Sequence, residues 1–121
     1  MRFTSADAGA KTERRILTVA PFDPAATVTV NGGINRPPLE RSLQVKGLYT
    51  HARALASLLD FDLGEASVGG ASDGNFVGAL GVPVLDGLGV QGDGAHAAHE
   101  HILCDDISTR GALLAGLIAT L

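Results

Sequence analysis

Serine, carboxylate, histidine and cysteine side chains crowd into the stretch from Gly69 to Asp106, where three patterns bear on chemistry. Gly70-Ala71-Ser72-Asp73-Gly74 fits Gly-x-Ser-x-Gly, the tight strand-to-helix turn that presents a serine hydroxyl as a nucleophile. Asp86 or Asp93 and then His96 follow in the order Ser, Asp, His, which would let a carboxylate fix the tautomer of an imidazole that takes the serine proton. The same residues also read as a glycine-rich turn whose Ser72 and Asp73 cap a short helix, with free N–H groups that suit an anion. Gly87-Leu88-Gly89-Val90-Gln91-Gly92 spells the dinucleotide pattern Gly-x-Gly-x-x-Gly, but Asp93 and Gly94 stand where a helix would have to begin, so a flexible loop is the plainer reading. His96, His99 and His101, with Asp93, Glu100, Cys104, Asp105 and Asp106 nearby, form the densest group of potential metal ligands. Imidazole and carboxylate suit zinc, whose closed sites take four ligands. The spacing matches no zinc finger, and Leu103 lies four after His99, so no His-Glu-x-x-His helix is present. A solvated or hydrogen-bonded histidine-rich loop is the plainer reading of these residues alone.

Simple elements must position these residues. Arg2 to Thr4 reads as a short strand and Ser5 as the cap of a helix reaching about Ala20, with Ile16 and Leu17 inward, stopped by Pro21 and Pro24. Ala26 to Asn31 alternates Thr and Val as a half-buried strand does. Asn31 to Arg41, with Pro37-Pro38, is an extended connector and holds a domain boundary. From Ser42 to Leu59, Leu48, Ala52, Leu55, Ala56 and Leu59 recur at helical spacing. Gly64 to Val68 is a short strand, Gly74 to Leu80 a brief helix, and Val82 to Leu88 a mostly apolar strand of the kind covered on both faces in a parallel sheet. An extended piece at His101 to Leu103 precedes a last helix capped by Asp105, Asp106 or Ser108, whose stripe is Leu113, Leu114, Leu117, Ile118 and Leu121. The fold class expected is α/β: a partial mixed or parallel sheet with flanking helices, preceded by a β-α-β piece.

Composition narrows the functions. With 121 residues, 45% of them hydrophobic, the chain holds one core rather than two large ones. Nine basic against 13 acidic residues, and five aromatics, supply neither a phosphate-tracking face nor stacking platforms, so nucleic acid is excluded as a partner. No apolar run is long enough to cross a membrane, Met1 to Lys11 has no apolar block of a secretory signal, and Cys104 is the only cysteine, so the cytosol is the expected compartment. Most of the 16 glycines lie between Gly64 and Gly94, which marks that stretch as tight turns or as backbone that approaches a ligand.

Taken in order, Gly69-Gly70-Ala71-Ser72-Asp73-Gly74-Asn75-Phe76, Leu80-Gly81-Val82-Pro83-Val84, Gly87-Leu88-Gly89 and Gly92-Asp93-Gly94-Ala95-His96, with Glu100 four later and Arg36-Pro37-Pro38 upstream, resemble the C-terminal part of a zinc peptidase family. That family contains glutamate carboxypeptidase, acetylornithine deacetylase and succinyl-diaminopimelate desuccinylase. The resemblance covers almost the whole chain. It implies that residues 1–33 end a lid or dimerisation domain, through which the intact protein would form a homodimer, and that residues 34–121 form the C-terminal part of the catalytic domain. It further implies two zinc ions and a glutamate-activated water that attacks an amide next to a carboxylate, in an N-acyl amino acid or short peptide. His96 matches the family's C-terminal metal ligand. Arg36 matches an arginine that faces the substrate carboxylate, a task suited to its planar fork, and Ser72, Asp73 and Asn75 would line the substrate side.

The family's His-x-Asp motif, bridging aspartate, Glu-Glu pair and further carboxylate are not in this sequence, and His51 is followed by Ala52 and Arg53. One ligand does not hold two zinc ions, so the chain is expected to carry no catalytic residue of its own, to be inactive alone and to be a C-terminal fragment. Apolar surfaces without their cover are expected to make it associate or pack loosely. A binding module that keeps the Gly69 to Asn75 turn, and a serine hydrolase using Ser72, are the alternatives.

Overall fold

The computed structural model describes Met1–Leu121 and contains four α-helices, α1 (Ala6–Leu17), α2 (Leu43–Leu58), α3 (Gly74–Ala79) and α4 (Ile107–Thr120). Between α3 and α4 lie two short strands, β1 (Gly92–Asp93) and β2 (His101–Ile102), followed by a 3-10 turn at Cys104–Asp106. The chain divides into two compact units, one of Met1–Arg41 with Ser67–Val84, the other of Ser42–Ala66 with Leu85–Leu121.

In the first unit, Ser5 starts α1 as its hydroxyl accepts the Ala8 N–H at 3.2 Å. The Glu40 carboxylate accepts the Ala6 N–H at 2.7 Å, and Glu13, further along α1, accepts the Ile34 N–H at 2.9 Å. These contacts fix the connector on the helix. Gly9 is buried because the Phe3 ring lies against it, where a Cβ would stand 2.6 Å from a ring carbon. The helix ends at Leu17, and Ile16 and Leu17, expected inward, are 39% and 49% exposed. No apolar side chain is fully buried in this unit. Its polar contacts run mainly from side chains to backbone.

The second unit has the core. Ala52 and Ala56 of α2 face Leu113 and Leu117 of α4, with Leu63 beside them and Tyr49, Leu55, Phe61, Leu85 and Leu88 around. Ser42 caps α2 by accepting the Val45 N–H at 3.2 Å. At the other end Asp60 takes φ 59°, and Phe61 and Asp60 donate back to the Ala56 and Ser57 carbonyls at 3.2 and 3.3 Å. That is a Schellman closure with an aspartate at the left-handed position that glycine usually takes. It turns Phe61 and Leu63 onto the core, where the Tyr49 hydroxyl donates to the Leu63 carbonyl at 2.7 Å.

The sheet differs from expectation. Arg2–Thr4, Ala26–Asn31, Gly64–Val68 and Val82–Leu88 form no strand ladder, and the one sheet is the antiparallel pair β1-β2, with Gly92 opposite Ile102 and Asp93 opposite His101. A strand exists only where a neighbour's N–H and C=O groups come into register. These four segments meet no such neighbour in this chain, and Val28, Val68 and Val82 remain 43%, 77% and 51% exposed. β1 reaches its partner because Gly92 has no side chain: a Cβ there would collide with the His101 carbonyl. No helix is long and apolar enough to cross a membrane.

The contrast between the units predicts their local stability. Opening free energy follows buried apolar contact, so in hydrogen exchange on the intact chain the amides of α2 and α4 are expected to exchange last, and those of α1 early. Equal protection of α1 and α4 would contradict this account.

Candidate functional site

Arg36, Ser72, Asp73 and Asn75 lie together in the first unit. The local cause is a reciprocal cap at the start of α3: the Ser72 hydroxyl accepts the Gly74 N–H at 3.2 Å, while the Asn75 side-chain oxygen accepts the Ser72 N–H at 2.9 Å. The other end of the Asn75 amide donates to the Pro37 carbonyl at 2.8 Å, so this buried side chain ties the Arg36-Pro37 segment to the turn. Asn75 has both ends of its amide committed and acts mainly as a strut. Arg36 then lies over the Phe76 ring, 4.6 Å from its centre, with one guanidinium nitrogen 3.4 Å from the Asp73 carboxylate. Asp73 makes no side-chain cap bond to α3, and its side chain is 94% exposed against 33% for Arg36. Phe76 was not among the residues singled out from sequence. Its position one after Asn75, on the same short helix, is the signal that it shares the turn.

A cavity of about 670 Å³ in the same unit is lined by Arg36 and Asn75, by the Gly69-Gly70 backbone and by Arg2, whose guanidinium end lies against Gly69. Much of the remaining wall is apolar, including Phe3, Ile16, Val30 and Val68. Glu13 is the only carboxylate in the wall, and one of its oxygens is occupied by the Ile34 N–H. Two guanidinium groups against one carboxylate make the lining net cationic, which suits a small anion with an apolar body.

His96 is in the second unit, in the β1-β2 connection. It takes φ 67°, its ring is exposed, and its N–H donates to the Glu100 carboxylate at 3.2 Å. Glu100, four residues on, thus closes the loop. His99 packs edgewise on Gly94, and the His101 ring nitrogen meets the His99 carbonyl at 3.0 Å. Cys104 is an exposed free thiol. No three His, Cys, Asp or Glu side chains converge to hold a metal ion, so the residues present do not on their own fit a zinc site.

Two other patterns take structural roles. After Gly87 to Gly92 comes β1, and the next α-helix begins only at Ile107, so no helix start cradles a pyrophosphate. The unit that holds Ser72 contains no histidine, and its hydroxyl is used in capping. His51, on α2, shares a hydrogen bond of 2.7 Å with the Thr120 hydroxyl of α4. Sequence reading also missed Arg110, a buried cation that lies 5.1 Å from the Phe61 ring centre and donates to Asp106 at 3.1 Å. An Asp four residues before an Arg at a helix start was the available signal. Compared with family models, curated proteins and solved structures, the chain matches none.

Proposed function

We propose that this chain supplies the substrate-carboxylate side, and one metal-binding imidazole, of a zinc-dependent amide hydrolase acting on N-acyl amino acids or short peptides. In this reading residues 1–33 end a lid domain, residues 34–121 complete a catalytic domain, and the unpaired segments Ala26–Asn31 and Val82–Leu88 join strands of a sheet, the latter a parallel one. The observation that carries it is the joining of Arg36 to the Ser72–Phe76 turn through Asn75, Asp73 and Phe76. The two sequence segments that resemble the family's substrate side, 31 residues apart at their nearest, meet in one place beside a cationic cavity.

Each residue then has a physical task. Arg36 presents its fork to a carboxylate, which fixes the adjacent amide in space. Asn75 and Phe76 hold that fork in position, and Ser72 keeps the turn closed. Zinc, when bound, would polarise the amide carbonyl. His96 is one ligand, and the remaining ligands and the glutamate base must come from outside these residues. The chain alone is therefore inert.

The test is hydrolysis of N-benzoylglycine, with zinc content, for the chain alone and after assembly with a polypeptide bearing the family's His-x-Asp and Glu-Glu motifs. Turnover is expected only in the assembly, and His96→Ala should lower it at least about a hundredfold, since even groups that merely orient metal ligands are worth 10- to 100-fold. An assembly indifferent to His96 refutes the proposal. Turnover by the chain alone that survives chelation and disappears in Ser72→Ala would replace it with the serine reading.

A second reading rests on a separate observation. The cavity with Arg36 stands within one unit while no metal-ligating cluster exists, which is also what a non-catalytic binding module for small carboxylates requires. An assembly that binds N-benzoylglycine through Arg36 yet never cleaves it would favour that module.

A further inference from the structure

Arg36 has two faces with different neighbours. It lines the cavity, whereas Asp73, its one ionic partner, does not. The contact between them is loose: 3.4 Å exceeds the 2.7–2.9 Å typical of a charge-assisted N–H···O bond. The Asp73 carboxylate keeps nearly all its water at 94% exposure and is bound to no backbone group. Phe76, whose ring centre lies 4.6 Å from the guanidinium carbon, holds the guanidinium by a cation–π contact that does not use its N–H donors. A carboxylate that neither caps the helix nor orients the arginine still neutralises it.

We propose that Asp73 is the resident counter-ion of Arg36 and sets the affinity of the cavity for carboxylate ligands: the incoming carboxylate takes over the guanidinium edge and Asp73 releases it to water. This rests on reading the cavity as a carboxylate site. Exposed ion pairs are weak, so the exchange is easy and its effect on affinity is a small, measurable factor. Asp73 also repels any incoming anion, so a carboxylate gains less from the wild-type site than it would from Arg36 alone.

Ligand-observed NMR titration of the full chain with N-benzoylglycine, without metal, tests this and tolerates self-association. N-Benzoylglycinamide serves as the uncharged control. At about 20 mM salt Asp73→Asn is expected to bind the acid about two- to fivefold more tightly than wild type, with the amide unaffected. The gain should shrink at about 500 mM salt, where exposed charges are screened, and Asp73→Glu should return affinity toward wild type. If Asp73→Asn binds equally or more weakly while Arg36→Gln abolishes binding, Asp73 is a bystander or a positioning residue and the counter-ion role is refuted, with the carboxylate site intact. If the acid binds neither wild type nor Asp73→Asn, or binds Arg36→Gln as well as wild type, the carboxylate site itself is refuted.

Discussion

Leu113→Ala lowers the unfolding free energy of the second unit by about 2–5 kcal/mol, the range for leucine truncation in a packed core. Leu113 is the one large side chain with no exposure, and the residues of α2 that face it are the alanines Ala52 and Ala56. Small side chains bring the two helices close. The helix backbone behind those alanines cannot close onto the space a missing isobutyl group leaves, and the longer side chains around it, Tyr49, Leu55 and Leu63, fill it only in part. Ile118→Ala on the same helix is the control: its side chain is 83% exposed, and its removal should change stability by less than about 0.5 kcal/mol. Urea titrations of both variants decide it. Equal losses from the two would mean that α4 packs by a different face from the one described.

Asp106→Ala is expected to destabilise the same unit by about 3 kcal/mol, and Arg110→Met by less. Asp106 does two things with one oxygen, accepting from Arg110 at 3.1 Å and from the Gln91 N–H at 2.8 Å. Removing it leaves a guanidinium whose side chain is 10% exposed without its anion, and buried charges that lose their partner typically cost 3–5 kcal/mol. Arg110→Met keeps a stem over Phe61, 5.1 Å away in the parent, and leaves Asp106 bonded to Gln91. The double variant should then be less damaged than the sum of the two, because once Arg110 is gone no buried cation is orphaned. Denaturant midpoints for the single and double variants measure this. Additive effects, or a cost below about 0.5 kcal/mol for Asp106→Ala, would show that the pair is as weak as a surface contact.

Helix positions were legible because their causes are local. Ser5, Ser42 and Ser72 each accept an N–H two or three residues on, and a hydroxyl at that spacing is visible in one dimension. The candidate site was partly legible for the same reason. Ser72 and Asn75 close a turn by themselves, and Arg36 was marked by the segment it belongs to. That Asn75 would hold the Pro37 carbonyl, and that Phe76 would carry the guanidinium, depends on a fold-back across more than 35 residues that no local pattern encodes. The histidines lay at the opposite extreme. Three in six residues suggested an ion, yet all three are exposed, the His99 ring edge lies on Gly94 and His101 turns to a carbonyl.

Spacing along the chain therefore determined where the helices begin and which turn gathers Ser72 and Asn75. Burial was decided only in three dimensions. Leu113, Leu117, Leu114, Ile118 and Leu121 are equivalent as a stripe, but just the first two meet α2. Val82 to Leu88 reads as a strand, but a strand is a relation between two backbones and this one has no second backbone in register. Hydrogen bonds within a turn are written into neighbouring residues, whereas sheet pairing and the covering of an apolar face require a surface that the segment itself does not contain.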